Sequence, residues 1–428
     1  MSTYEILRER FAPVFARIAA GAWERDRERV LPFEPVAWLD AERFGALRVP
    51  TEHGGYGASL ETVIRLLVDL SAADSNVGHL YRSHFGFAET LFWQPEDVRA
   101  RWYARLVAGE TVGNASTERG GNALGELNTS LARGADGGWR LTGEKYYCTG
   151  TIYSTYTRVS AQVTGPGGES TGERQFAVVR VDADGVRVHD DWDGFGQRLT
   201  GTGTTEFDAV AVDDADVLPR VKGSQEAVHE AAFFQLVLLA VQAGIARAAR
   251  DDAAALVAGR KRTFNTGSGV PFREDPLIQA EVGRIAAQAF AAEAAVVAAA
   301  RALDAAWDVC AVRRSSEPGD VPAEAYAAEL AVEAAHVSVP ELALGAAQAL
   351  FQTVGASATS SAKGLDRHWR NAQTVATHNP IAFRARSLGD YYINGTTPEG
   401  LSAIGDAVRG GAATQTSPLA SEELKENA

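Results

Sequence analysis

The sequence lacks the features that mark several large classes of protein. Cysteine occurs only at Cys148 and Cys310 among 428 residues, and two distant thiols make neither a disulfide framework nor a metal cluster. No unbroken run of about 20 apolar residues is present, so we expect no membrane-spanning helix. The N-terminus carries charges throughout and has no apolar signal-peptide core, which favours a cytoplasmic location.

Positive charge is also in short supply. Lys and Arg total 41 against 55 Asp and Glu, which gives a formal net charge of −14 at pH 7. Such a surface repels phosphate backbones, so nucleic acid is not an expected partner. With 46% hydrophobic and 22% charged residues, the composition is that of a globular protein with a large core, and the length is enough for several domains.

Short catalytic signatures are missing as well. The chain contains no P-loop pattern, no H-E-x-x-H or C-x-x-C zinc pattern and no G-x-S-x-G nucleophile elbow. Gly194-Phe-Gly196 lacks the third glycine of the dinucleotide fingerprint and lies among predicted strands. We therefore expect no metal site and no nicotinamide-binding fold in this chain.

Hydrophobic periodicity divides the chain into three blocks and a tail, which together predict an α+β protein. Residues 1–108 show mainly helical spacing, and residues 109–222 show the short alternating runs of an antiparallel sheet, as in a small barrel or sandwich. Residues 223–396 are alanine-rich and helical again, as in an antiparallel bundle. Residues 397–428 are aperiodic and predict a mobile tail.

The same pattern predicts individual elements. Helices are predicted at 4–20, 36–44, 60–73, 224–258, 277–312, 323–354 and 365–377. Strands are predicted at 139–142, 158–163, 175–181, 186–189 and 204–212.

Five motifs, in this order, resemble the signatures of the acyl-CoA dehydrogenase superfamily. They are Asn114-Ala-Ser-Thr-Glu-Arg119, Gly143-Glu-Lys-Tyr-Tyr-Cys-Thr-Gly150, Gly194-Phe-Gly-Gln-Arg198, Lys261-Arg-Thr-Phe264, and the pair Gln352-Thr-Val-Gly355 with Arg367-His-Trp-Arg-Asn-Ala372. The resemblance runs from about residue 5 to residue 397. It implies an N-terminal helical domain, a central antiparallel β-barrel and a C-terminal four-helix bundle, with a flavin held between the barrel and the bundle.

The resemblance also implies contacts to that flavin. Thr149 stands where the family's threonine hydrogen-bonds the ring near N5, although an ordinary strand threonine is the alternative. Asn114 and Thr117 stand where the ring is lined, and Arg262 where a cation meets the cofactor's phosphate, often from a neighbouring subunit. The other cofactor-binding residues assigned from these motifs are Phe264, Ser357 and Arg370.

The carboxylate base of an acyl-CoA dehydrogenase is missing. One of the two family positions for this base is occupied here by Asn379, and the other falls in residues 232–237, which contain no acid. An amide cannot accept a proton at neutral pH. A dehydrogenase activity would therefore need a displaced base.

Histidine stands near the missing acid. His378 and His84 resemble the histidines of the superfamily's flavin-dependent monooxygenase branch. Oxygen chemistry on a reduced flavin needs a proton and a dry site, and histidine titrates near neutrality. The alternatives are a core role for His84 and a helix-capping role for His378. Trp192 and Phe234 are the candidate substrate-binding residues, with packing as the alternative for Trp192.

The sequence thus predicts a two-component flavin-dependent monooxygenase. It would use reduced FMN, or FAD as the second choice, and O2 to oxygenate a small apolar substrate. S-oxygenation is favoured, and N- or C-hydroxylation stays open. A separate NAD(P)H:flavin reductase and a homotetramer are expected from the family. Two alternatives remain: an acyl-CoA dehydrogenase or oxidase with FAD and a displaced base, and a non-catalytic flavin-binding scaffold.

Overall fold

The N-terminal part of the chain is helical. The computed structural model describes residues 1–119, 127–261, 263–264 and 267–398; most of the predicted tail therefore lies outside the described residues. Helix α1 begins with a capping box formed by Ser2 and Glu5, and Ser59 and Asp74 cap α4 and α5 through their side-chain oxygens. The helices are α1 (Thr3–Ala20), α2 (Ala22–Glu28), α3 (Phe33–Ala41), α4 (Leu60–Ala73), α5 (Ser75–Thr90) and α6 (Glu96–Val107).

A mixed sheet follows. Its described strands are β1 (Val112–Ala115), β2 (Ser130–Arg133), β3 (Trp139–Lys145), β4 (Tyr156–Thr164), β5 (Ser170–Arg180), β6 (Val186–Val188), β7 (Thr205–Val212) and β8 (Val217–Pro219). They pair in the order β6-β7-β3-β2-β4-β5-β8, and β1 also pairs with β4. The inward side chains of six strands form one cluster, and β5 contacts β7 without pairing to it, so the sheet is rolled like a barrel.

The prediction of a wholly antiparallel sheet is wrong for two strand pairs. Both β1 and β2 run parallel to β4, in the registers Val112↔Tyr156 and Ser130↔Gln162. They lie one after the other along the same edge of β4. Alternation of apolar residues shows which face of a strand is buried, and it carries no information on the direction of the neighbouring strand.

The C-terminal part is a bundle around three long helices, α7 (Gln225–Gly259), α8 (Pro276–Val312) and α9 (Ala323–Val354). Helix α10 (Asp366–Ala376) packs on α7 and α9, and α11 (Ile381–Asn394) packs on α9. Alanine-rich stripes allow this close packing, with Ala246, Ala289 and Ala343 fully or almost fully buried in one cluster. The predicted four-helix arrangement corresponds to α7 to α10.

The N-terminal helices and the bundle share one core. A single apolar cluster joins side chains of α1, α4, α5, α7, α8 and α9. At the crossing of α4 and α7, a Cβ added to Gly244 would lie 2.5 Å from the Cβ of Ser71 and 2.8 Å from the carbonyl oxygen of Val68. The two helices therefore approach almost to backbone contact at this point.

Two helices are long and apolar enough to cross a membrane by length and composition alone. In Gln225–Gly259 the most apolar window is 83% buried within the protein, and in Ala323–Thr359 the value is 50%. Core helices of folded proteins pass the same test, so the finding is weak evidence for membrane insertion.

Candidate functional site

A cavity opens between the rolled sheet, helices α5 and α7, and the loop between α10 and α11. Its atom-free space, including the open solvent at its mouth, is about 990 Å³. Five of the residues singled out from the sequence line it together, although they are spread over the whole chain. They are Asn114, Thr117, Thr149, Phe234 and His378.

Thr149 is fixed in this wall by a tight turn after β3. Gly150 has φ +81°, and a Cβ there would lie 2.7 Å from the carbonyl oxygen of Leu80 on α5. The turn therefore rests against α5, and the Ser83 hydroxyl donates to the Thr149 carbonyl oxygen over 3.2 Å. This contact sets the Thr149 hydroxyl at the cavity wall with little freedom to move.

A chain of hydroxyls leads from Thr149 to Gln197. The Thr149 Oγ1 lies 2.9 Å from Thr202 Oγ1, which lies 2.7 Å from Thr200 Oγ1, and Thr200 donates to the Gln197 carbonyl oxygen over 2.9 Å. Gln197 is 1% exposed and has φ +50°, a left-handed conformation that is costly for a residue with a side chain. Its backbone N–H donates to Asn371 Oδ1 over 2.7 Å, which ties the sheet to α10.

His378 and Asn379 form the wall on the bundle side. Asn379 Nδ2 donates to Gln235 Oε1 over 2.8 Å and lies 3.1 Å from His378 Nδ1. The Nδ1 atom is therefore the acceptor, so in the neutral ring Nε2 carries the proton. The position of the dehydrogenase base is thus filled by an amide that is already hydrogen-bonded.

The sequence analysis expected a histidine that titrates near neutrality at this position, and the surroundings of His378 do not favour this. The residue as a whole is exposed, yet desolvation of the imidazole by the surrounding protein lowers its pKa well below the ordinary value. The nearby Arg82, His79 and His336 lower the pKa further, because a second positive charge beside them is unfavourable. His378 is accordingly a neutral imidazole that can donate a hydrogen bond from Nε2.

The prediction of a catalytic His84 is not supported by the structure. His84 is 2% exposed, its Nε2 lies 2.8 Å from the Gly45 carbonyl oxygen, and its Nδ1 accepts from the Val112 N–H over 3.2 Å. Both ring nitrogens are therefore used, and burial lowers the pKa of His84 to about 4. The ring joins α5 to β1, which is a structural role.

The sequence analysis missed His79, which lies on the other side of α5. Five residues of helix separate the two histidines by about 140°, and His79 shares its face with Arg82. His79 Nδ1 lies 3.2 Å from Gln197 Oε1 and so donates to it, while its buried Nε2 has no partner among the described residues. Burial lowers the pKa of His79 to about 4. The two neutral histidines near the cavity thus offer an acceptor on His79 and a donor on His378.

A pattern in the sequence could have indicated this face. Gly86 follows His79 by seven residues, two helical turns, and a Cβ on Gly86 would lie 2.4 Å from the Phe234 ring. The glycine therefore marks the side of α5 that faces the cavity-lining part of α7.

Phe264 and Ser357, which the motifs assigned to cofactor binding, do not line the cavity. Phe264 stacks edge-on with Phe272, and Ser357 accepts from Arg260 over 3.3 Å. These contacts form a cluster at the far end of α7 and α9, which does not line the cavity. Arg262 of the same motif lies outside the described residues.

Arg370 is used within the chain and is not brought to the cavity. Its guanidinium pairs with Asp26 over 2.6 Å and with Asp366 over 2.7 Å, and it donates to the Phe195 carbonyl oxygen. Two carboxylates already neutralise its charge, so the contacts that the structure shows are structural, and the cofactor-binding role assigned from the motif stays a prediction.

Trp192 does not line the cavity itself but contacts Tyr147, which does. Its Nε1 donates to the Gln197 carbonyl oxygen over 3.0 Å, and its ring meets Tyr147, which lines the cavity, with centroids 6.0 Å apart. Its role toward a substrate stays a prediction.

Two family models match this chain. The acyl-CoA dehydrogenase middle domain matches residues 114–210, and the acyl-CoA dehydrogenase C-terminal domain matches residues 236–383, together more than half of the chain. The chain belongs to the acyl-CoA dehydrogenase superfamily. The first match includes the residues that line the cavity from the sheet, and the second includes His378 and Asn379 in the loop between α10 and α11.

Relatives within the superfamily are monooxygenases. The chain is 28% identical to the dibenzothiophene monooxygenase of Mycolicibacterium goodii, covering 88% of this chain and 90% of the relative. It is 28% identical to the probable FMNH2-dependent monooxygenase SfnC of Pseudomonas putida, covering 85% and 89%. The crystal structure of FMN-bound TdsC from Paenibacillus sp. A11-2 superposes with a TM-score of 0.83, at 26% identity, over 94% of this chain and 99% of that one. These likenesses place the chain in the flavin-dependent monooxygenase branch.

The cavity fits a flavin of this branch. Its walls offer the hydroxyls of Thr117 and Thr149 and the amide of Asn114 along the sheet, which suit the oxygen and nitrogen edge of a flat heteroaromatic ring. Among the described residues that line it, Glu230 is the one carboxylate, and Arg158 pairs with it. The described lining therefore presents hydrogen-bond donors, arginines and the imidazole of His378, and its acid is already paired.

Proposed function

We propose that this chain is the oxygenase of a two-component system that uses reduced FMN and O2. One oxygen atom would be transferred to the substrate and the other would leave as water, with both electrons supplied by the bound flavin. The observation that carries the proposal is the His378–Asn379 pair, which lines the same cavity as Thr149, and the described lining of that cavity has no unpaired carboxylate.

The chain's own residues would divide the work. Thr149 would orient the ring edge, since its hydroxyl is held by Thr202. His378 would donate from Nε2 to oxygen near the ring. His79, whose Nε2 has no partner among the described residues, would accept a hydrogen bond or a proton. Phe234 would exclude water from the apolar side.

The substrate we propose is a small, largely apolar molecule that is oxygenated at sulfur. The name of the dibenzothiophene monooxygenase relative supports sulfur as the oxygenated atom, and the rings of Phe176 and Phe234 give the cavity apolar walls. The missing dinucleotide fingerprint supports a separate NAD(P)H:flavin reductase.

A homo-oligomer, which we propose to be a tetramer, would cover exposed apolar side chains. None of the fourteen residues of α11 is buried, and Phe383, Tyr392 and Ile393 are 69%, 78% and 81% exposed. Exposed apolar groups in one helix are typical of an interface between subunits. A neighbouring subunit could also supply the Arg262 motif to the flavin phosphate.

The test is single-turnover oxygenation. The protein is mixed without air with reduced FMN and dibenzothiophene, and ¹⁸O₂ is then added. We expect one labelled oxygen in the product and no turnover with NADH when the reductase is omitted. Unlabelled product, or no product with bound reduced FMN, contradicts the proposal.

A parallel test addresses the dehydrogenase alternative. The chain loaded with FAD is given octanoyl-CoA, together with an Asn379→Glu variant that restores a carboxylate at the family position. We expect neither to oxidise the thioester. Oxidation by the unaltered chain would favour a dehydrogenase with a displaced base.

A further inference from the structure

Arg82 is placed on the cavity side of α5 by α7. Its Nε donates to the Phe234 carbonyl oxygen over 3.0 Å, and its guanidinium carbon lies 4.5 Å from the centroid of the Phe234 ring. These two contacts fix the plane of the guanidinium. Arg82 is partly buried and lines the cavity, so its two terminal amino groups remain for a ligand.

Among the residues that the structure describes, Arg82 forms no ion pair. Arg158, which lines the same cavity, is paired with Glu230, whereas no carboxylate pairs with Arg82 within the described part of the chain. Its closest titratable neighbours include His79 and His378, which carry no negative charge. Burial lowers the pKa of Arg82 to about 10, while Glu230 opposes this shift from a distance. The side chain thus stays cationic at neutral pH.

An unpaired guanidinium in a partly dry cavity is unfavourable unless a ligand compensates it. Solvent access alone does not explain the arrangement, because the contacts to Phe234 hold the group in place. A planar fork with two free amino groups matches a planar anion whose charge is shared between two atoms.

We propose that Arg82 binds a delocalised anion in the loaded cavity. Two groups have this chemistry. One is the N1–C2=O edge of reduced flavin, which loses its N1 proton near neutral pH; this source rests on the proposed function. The other is a carboxylate-like group on the substrate, which would modify the expectation of an uncharged one.

The variants are Arg82→Met, which removes the charge, and Arg82→Lys, which keeps the charge and removes the fork. Arg284→Met is the matched control, because Arg284 is exposed on α8. For each full-length protein we would measure, without air, the dissociation constants of oxidised and reduced FMN. Benzoate and its neutral counterpart benzamide are the probes for the substrate source.

If the flavin is the anion, Arg82→Met should weaken reduced FMN at least tenfold more than oxidised FMN. That ratio equals a fall of about 30 mV in the midpoint potential of bound FMN for a two-electron couple. Arg82→Lys should lower the midpoint potential of bound FMN by a smaller amount. If the substrate is the anion, Arg82→Met should leave the ratio of the dissociation constants of reduced and oxidised FMN unchanged. The same variant should weaken the binding of benzoate tenfold and leave the binding of benzamide unchanged.

The proposal is overturned if both the FMN ratio and the benzoate-to-benzamide ratio are unchanged in Arg82→Met. A purely structural Arg82 would lower the Tm of the flavin-free protein and leave both ratios as they were. Failure of the unaltered chain to bind FMN would refute the proposed function, and the benzoate comparison would still decide the role of Arg82.

Discussion

Replacement of His84 by alanine should damage the fold and spare the chemistry. The side chain is 2% exposed and satisfies the Gly45 carbonyl oxygen and the Val112 N–H. Each buried group that loses its partner costs about 1–3 kcal/mol, so the two together should lower the free energy of unfolding by roughly 2–6 kcal/mol. At about 2–4 °C per kcal/mol for a unit of 150–250 residues, the Tm should fall by at least about 4 °C.

Two measurements separate this effect from a catalytic one. Thermal unfolding at a fixed scan rate gives the change in Tm, and hydrogen exchange reports on the Val112 amide, whose protection should fall in the variant. Gly45→Ala provides a second approach, because its new Cβ would lie 2.5 Å from His84 Nε2 and should displace the ring. We expect oxygenation per folded molecule to change less than tenfold in both variants. A His84→Ala protein with unchanged Tm and lost turnover would refute the structural role.

Four further outcomes are expected. His378→Ala should reduce turnover about a hundredfold or more with a smaller change in FMN affinity, and full activity would contradict its role. Thr149→Ala should lose a hydrogen bond worth about 1 kcal/mol and release more hydrogen peroxide per turnover, which a peroxide assay measures. Burial lowers the pKa of His79 to about 4, below its value of about 6.5 in an unfolded chain; the unfolded state thus binds more protons between these values, and the Tm should fall as the pH drops from 6.5 to 4. Gly244→Ala should destabilise the α4–α7 crossing by about 1–3 kcal/mol, whereas Gly283→Ala on α8, with no atom within 4 Å of the added Cβ, should not; equal Tm values for these two would contradict the crossing.

Long elements could be predicted closely from the sequence, because periodicity accumulates with length. Helices α4 and α9 have the predicted bounds, and α7 and α8 differ from prediction by a residue at one or both ends. Of the four described strands with only three or four residues, β6 was predicted and β1, β2 and β8 were not. A segment of that length shows too few alternations to differ from a loop.

The types of residue at the site could be predicted from the sequence, but their positions in the chain could be predicted only in part. Thr149 and His378 came from motifs, and the structure brings both to one cavity. The sequence analysis selected His84 instead of His79 because the sequence does not show which face of α5 is directed toward the cavity. The partner of Arg370, Asp26, lies 344 residues away in the chain, and no local pattern indicates a pair so distant.

The close crossing of α4 and α7 affects how the chain can fold while it is being made. Helix α4 ends at Ala73, and α7 begins at Gln225. A ribosome adding about 5–20 residues per second needs roughly 8–30 s to make the intervening segment. During that time the apolar face of α4, which includes Val63 and Leu67, has left the ribosome without its partner. We expect nascent chains to need chaperone protection at this stage, and N-terminal fragments that end before α7 to aggregate when expressed alone.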